Sequence, residues 1–148
     1  MAKINRSTTV DCPPERVFDV LSNVERLTEF CSMTLDVRNG PGRAVQVGDR
    51  FDQVIKVLGK KLETEWEVVE VVEPSLLRFK GAAAAGASAN LVERLTPDGS
   101  GTHVELDVDY DLPLGFLGDA VDALFLQGKN EEQAEEILAS LKSLCERP

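Results

Sequence analysis

Alternation of apolar and polar side chains governs most of this sequence. Leu62, Thr64, Trp66 and Val68 alternate with Lys61, Glu63, Glu65 and Glu67. Thr102, Val104, Leu106, Val108, Tyr110 and Leu112 alternate in the same way with His103, Glu105, Asp107, Asp109 and Asp111. A period of two with one apolar and one charged face predicts antiparallel strands wetted on one side. Weaker alternation predicts further strands over 3–11, 33–38, 51–58, 76–80 and 88–96. Asn39-Gly40-Pro41-Gly42, Gly59-Lys60, Pro74-Ser75 and Pro97-Asp98-Gly99-Ser100-Gly101 supply turn chemistry between them.

Two stretches break the alternation. Cys12-Pro13-Pro14-Glu15 predicts a helix start, since proline suits the first turn and Glu15 complements its positive end. Val17, Phe18, Val20 and Leu21 follow at helical spacing up to Ser22-Asn23. Asn23 is placed to cap a second short helix over 24–30, with Leu27 and Phe30 on one side. Beyond Pro113-Leu114-Gly115 the pattern is helical to about Cys145, with one apolar stripe at Val121, Leu124 and Phe125 and another at Ala134, Ile137, Leu138, Leu141, Leu144 and Cys145. An unbroken helix of roughly 30 residues would span about 45 Å. Gly128, unfavourable by about 1 kcal/mol relative to alanine inside a helix, marks either a bend, a new helix beginning at Asn130, or an opening.

The element order is one strand, two short helices, six more strands and a long helix, an α+β arrangement. A twisted antiparallel sheet of about seven strands curls, and its concave face must be covered. The final helix is the only predicted element long enough to do it. With 148 residues, 43% hydrophobic and 28% charged, the chain reads as one domain over 1–148.

Charge and cysteine usage narrow the classes of function. A formal charge of −10, from 26 acidic against 16 basic residues, opposes binding to nucleic acid or stable association with an anionic membrane. Met1 to Val10 lacks the apolar centre of a signal peptide and no segment approaches the length of a membrane span, so the expected location is cytoplasmic. Cys12, Cys31 and Cys145 are widely spaced and odd in number, which predicts reduced thiols rather than disulfides or a zinc site. A monomer or a homodimer is expected, with no cofactor and no metal.

Asp11-Cys12-Pro13-Pro14-Glu15-Arg16-Val17-Phe18 and Asn23-Val24-Glu25-Arg26-Leu27-Thr28-Glu29-Phe30, with Val47-Gly48-Asp49-Arg50-Phe51, Gly101-Thr102-His103-Val104 and the closing segment from Leu138 to Glu146, cover nearly the whole chain. In these segments the sequence resembles the SRPBCC superfamily, which includes START lipid-transfer domains, birch-pollen-allergen proteins and bacterial polyketide cyclase/dehydrases. The resemblance implies the helix-grip fold, in which the curved sheet wraps the C-terminal helix and encloses a ligand cavity. Phe30, where many relatives carry tryptophan, and the small residues Gly81 to Ala87 depart from the family's usual pattern.

In that arrangement the cavity would be lined by Phe30, Phe51, Gln53, Thr64, Trp66, Asn90, Leu91, Leu106, Val108 and Tyr110 and roofed by Val121, Leu124 and Phe125. Apolar walls with a few polar groups are what a small-molecule site requires. The carboxylates of Glu63, Glu65, Glu67, Asp107, Asp109 and Asp111 share the opposite strand face and should be solvated. His103 shares it too and has no partner visible in the sequence. No nucleophile elbow, phosphate loop or dinucleotide fingerprint occurs. Three functions stay open: a carrier or sensor of a hydrophobic small molecule such as a lipid, isoprenoid quinone or polyketide; a polyketide cyclase, aromatase or dehydratase; and a protein-interaction module. The second would use Tyr110 and Gln53 to orient a carbonyl and Glu93 as acid or base. Glu93 shares parity with Leu91 and Leu95, but a salt bridge around Arg94 or a bulge is the expected explanation for it.

Overall fold

A computed structural model describes residues 2–57, 60–83, 86–111 and 130–147. The strands are β1 (Ala2–Val10), β2 (Thr34–Arg38), β3 (Arg50–Val57), β4 (Lys60–Val72), β5 (Leu76–Ala83), β6 (Ser88–Asp98) and β7 (Gly101–Asp111). Helix α1 (Pro14–Ser22), a 3₁₀ turn (Val24–Arg26) and helix α2 (Leu27–Phe30) connect β1 to β2. Helix α3 (Asn130–Glu146) follows β7 in the described chain.

All strand pairs are antiparallel, in the order β1-β7-β6-β5-β4-β3-β2. Strands two to seven thus form a meander, and the first strand returns to the edge beside the last. The sheet bends at a register shift between Val68 and Glu70, where the Gly48 and Val68 amides donate to the carbonyls of Val68 and Asp49. A second shift lies between Thr34 and Asp36 in β2. This curled sheet with its C-terminal helix is the helix-grip α+β fold.

Several boundaries differ from the sequence expectation. β5 runs on through Gly81, Ala82 and Ala83, and β6 through Pro97 and Asp98, so less of the chain is turn than the small residues and proline imply. The backbone reverses at Gly99, in the left-handed region at φ +62° that glycine tolerates. Asn23 does not cap the short helices; its amide instead donates to the Asp19 carbonyl at the end of α1. Val121, Leu124, Phe125 and Gly128, and with them the expectation of one unbroken helix, lie outside the described residues.

The C-terminal half of α3 fills its end of the concave face. Leu138, Leu141 and Cys145 are buried with Val10, Val17, Phe18 and Val104 in one hydrophobic cluster. Polar contacts fasten the same end: the Cys12 thiol donates to the Cys145 carbonyl, Lys142 Nζ to the Thr9 carbonyl at 2.8 Å, and the Asp11 amide to Glu146 at 2.8 Å. The three cysteines are buried free thiols. Burial pushes the Cys145 thiol up to about 11, so it stays protonated in this packing.

Candidate functional site: a cavity beneath the curled sheet

The other end of the concave face is hollow. The antiparallel register places Tyr110, Ala89, Gly81, Trp66 and Phe51 in one row across five strands. Its centre carries one methyl group and one hydrogen, flanked by two large aromatic side chains. The neighbouring Ala83 and Ala87 are equally small. The alanine-rich segment therefore has a structural result: it leaves volume unfilled between Trp66 and Tyr110. A Cβ on Gly81 would lie 2.7 Å from the Trp66 ring, so the indole lies across the backbone of β5 and only glycine permits this approach.

The resulting cavity has a volume of about 300 Å³, at the lower end of the roughly 300–1,000 Å³ common to small-molecule sites. Of the expected lining residues, Phe30, Phe51, Gln53, Thr64, Trp66, Leu91, Leu106, Val108 and Tyr110 do line it. Asn90 does not. It is exposed on the convex face, paired in register with Lys80 and Asp109, because neighbouring strand residues point to opposite sides and Leu91 takes the inward position. Val121, Leu124 and Phe125, the expected roof, are outside the described residues.

Sequence reasoning missed the walls that strand parity cannot reach. Leu21, Val24, Leu27, Cys31 and Met33 close one side from the α1–β2 connection, and Gln133, Ala134 and Ile137 line the side formed by α3. The apolar stripe of the last helix contained two of these, Ala134 and Ile137, but no signal distinguished stripe residues that face a void from those that face packed core.

Polar groups on the sheet wall largely satisfy one another. Gln53 Nε2 donates to Thr34 Oγ1 at 2.7 Å, Thr64 Oγ1 donates to the Gln53 carbonyl at 2.8 Å, and Trp66 Nε1 donates to Thr64 Oγ1 at 3.0 Å. Gln53 is thereby committed to β2 rather than aimed at a guest. The Tyr110 phenol is held above its usual range by burial and by nearby Glu131.

Glu93 is different. It lines the cavity, and its neighbours in register are Leu77 and Leu106. Arg94, the expected partner, faces the convex side, where its guanidinium pairs with Glu105 and Asp107. The expected salt bridge or bulge at Glu93 is therefore not what the structure contains. Glu93 is half-buried, its side chain lies among the residues that line the cavity, and desolvation raises its pKa from 4.5 to about 8. Cys31 lines the same cavity, and its thiol is raised by burial above all and further by Glu93.

The convex face is as expected. Glu63, Glu65 and Asp111 are exposed, Glu67 pairs with Arg50, Lys3 lies 4.0 Å from Asp109, and Asn5 donates to Asp107 and Glu105. His103 sits on this face in register with Thr9 and Thr96, away from the cavity. Among the described residues there is no cluster of metal-binding side chains and no helix long and apolar enough to cross a membrane.

Comparison with solved structures finds this architecture repeatedly. The protein TTHA0849 from Thermus thermophilus is 22% identical with a TM-score of 0.76, covering 97% of each chain. The protein CV1439 from Chromobacterium violaceum is 16% identical with a TM-score of 0.76 over the full length of both. The Zhui aromatase/cyclase from Streptomyces sp. R1128 is 16% identical with a TM-score of 0.77, covering 99% of this chain and 94% of that one. These are likenesses of fold. No curated protein matches the sequence. Residues 1–146 match the family described as polyketide cyclase / dehydrase and lipid transport, and the chain, with its gripped helix and hollow sheet, belongs to that family.

Proposed function

We propose that this protein binds a hydrophobic small molecule, of lipid, isoprenoid quinone or polyketide-like character, within the cavity. One observation carries the reading: the row through Gly81 and Ala89 leaves a void of about 300 Å³ walled mainly by apolar side chains. An unfilled core of this size sacrifices packing, and each missing contact lowers stability unless a guest restores it. Trp66, the sole tryptophan, lines the void and reports on its contents. Titration with the neutral dye N-phenyl-1-naphthylamine should quench Trp66 fluorescence with a 1:1 end point. Ala89→Phe, which fills the void, should abolish the quenching while the variant still melts cooperatively. Absence of dye binding, or binding untouched by Ala89→Phe, overturns the reading.

A second reading, catalysis of a cyclisation or dehydration, is favoured by Glu93 alone. A carboxyl poised near neutrality in an apolar pocket can give and take a proton at working pH. Its signature is turnover of a poly-β-ketone thioester that disappears in Glu93→Gln while dye binding persists; turnover retained by that variant rules out this role.

A further inference from the structure

Glu93 stands where the hollow meets the solid core. Leu91 on its own strand, and Phe79 and Leu106 beside it, line the cavity; Leu95 and Leu77 lie in the packed region. The carboxyl thus lies at one end of a mainly apolar space, without an ion-pair or hydrogen-bond partner among the described residues. An unmet acceptor, Gln133 Oε1, is buried on the α3 side of the same cavity. Buried polar groups are normally satisfied, and leaving one unmet is costly.

Among the described residues, the groups facing Glu93 include no cation close by. From the α1–β2 connection comes Cys31, and from β7 comes Tyr110 with Glu131 of α3 nearby. Lys56, which also lines the cavity, is on β3, three strands away. Arg6, in register with Leu106 on the edge strand, is paired with Glu135 of α3, and Arg94 is turned outward. An acid in these surroundings keeps its proton and offers an O–H donor to whatever occupies the space. A guest carboxylate would lose its hydration and find no counter-charge at this end.

We propose that Glu93 is a specificity-determining residue that makes the cavity selective for uncharged, mainly apolar carbonyl compounds over carboxylates of the same shape. The proposal rests on the cavity being a ligand site.

Four bicyclic probes test it by displacement of N-phenyl-1-naphthylamine: 2-acetonaphthone, 2-ethylnaphthalene, 2-naphthoate and 2-naphthylmethylamine. In the unmodified protein at pH 6.5 the ketone should bind about tenfold more tightly than the hydrocarbon, and the carboxylate should bind most weakly. The ketone's advantage should vanish at pH 9.5 and in Glu93→Leu. Glu93→Gln, which retains a donor, should keep part of the advantage and lose its pH dependence. Naphthoate or the amine matching the ketone at pH 6.5, or an advantage that survives Glu93→Leu, overturns the proposal. If dye and hydrocarbon bind but the order is flat, only this inference falls. If neither binds, the ligand-site reading falls with it.

Discussion

Glu93→Leu should be more stable than the parent protein above neutral pH, and the gap should widen as pH rises. The folded-state pKa of about 8 against a reference of 4.5 means that the folded protein binds one more proton than the unfolded chain between those values. Stability from this group is therefore fully present below about pH 4.5 and is lost progressively as pH rises through 8. At about 1.4 kcal/mol per unit, the loss across the window is up to roughly 5 kcal/mol. Cys31 and Cys145 are both shifted upward by burial and remain protonated throughout it. Glu29, Asp49 and Glu146 are shifted downward by their partners Arg26, Arg43 and Lys142 and act only in more acidic solution. Urea unfolding of parent and variant at half-unit steps from pH 5 to 9 isolates the difference. Parallel profiles would show that Glu93 is solvated after all.

Leu141→Ala should destabilise the fold by about 2–5 kcal/mol, the usual range for emptying a fully buried leucine site. Leu141 is 1% exposed and belongs to the packed end of α3. It does not line the cavity, whereas Gln133, Ala134 and Ile137 of the same helix do. The variant is accordingly expected to lower the denaturant midpoint at unchanged m-value while leaving dye affinity within about twofold under folding conditions. A large loss of affinity in a folded variant would mean that the two halves of the helix are not separate in role.

Strand alternation made much of this architecture readable in advance. Where one face is apolar and the other charged, parity alone places a side chain, and Phe51, Thr64, Trp66, Leu106, Val108 and Tyr110 are inward for that reason. Asn90 was misplaced by its polarity: it looked like a suitable ligand contact, but it neighbours an inward leucine. Glu93 was the opposite case. Its parity with Leu91 and Leu95 pointed inward, yet the adjacent Arg94 invited a pairing that strand geometry forbids, since consecutive side chains leave opposite faces. Cys31 and Met33 were illegible because the α1–β2 connection has no period from which a direction can be read. The void itself could not be deduced from alternation either. It depends on which small residues fall opposite one another, and that depends on register across Gly81 and Ala89, a tertiary property.

The position of β1 beside β7 has a consequence for assembly. Residues such as Ile4 and Val108, paired across this seam, belong to the first and the last strand of the described sheet. The meander from β2 to β7 can form through neighbouring hairpins, each closing a short loop, but the seam must wait for a closure that spans the whole meander. During synthesis β1 emerges before the other described strands yet is among the last of them to find its neighbour, and until β7 appears its apolar side chains lack that partner.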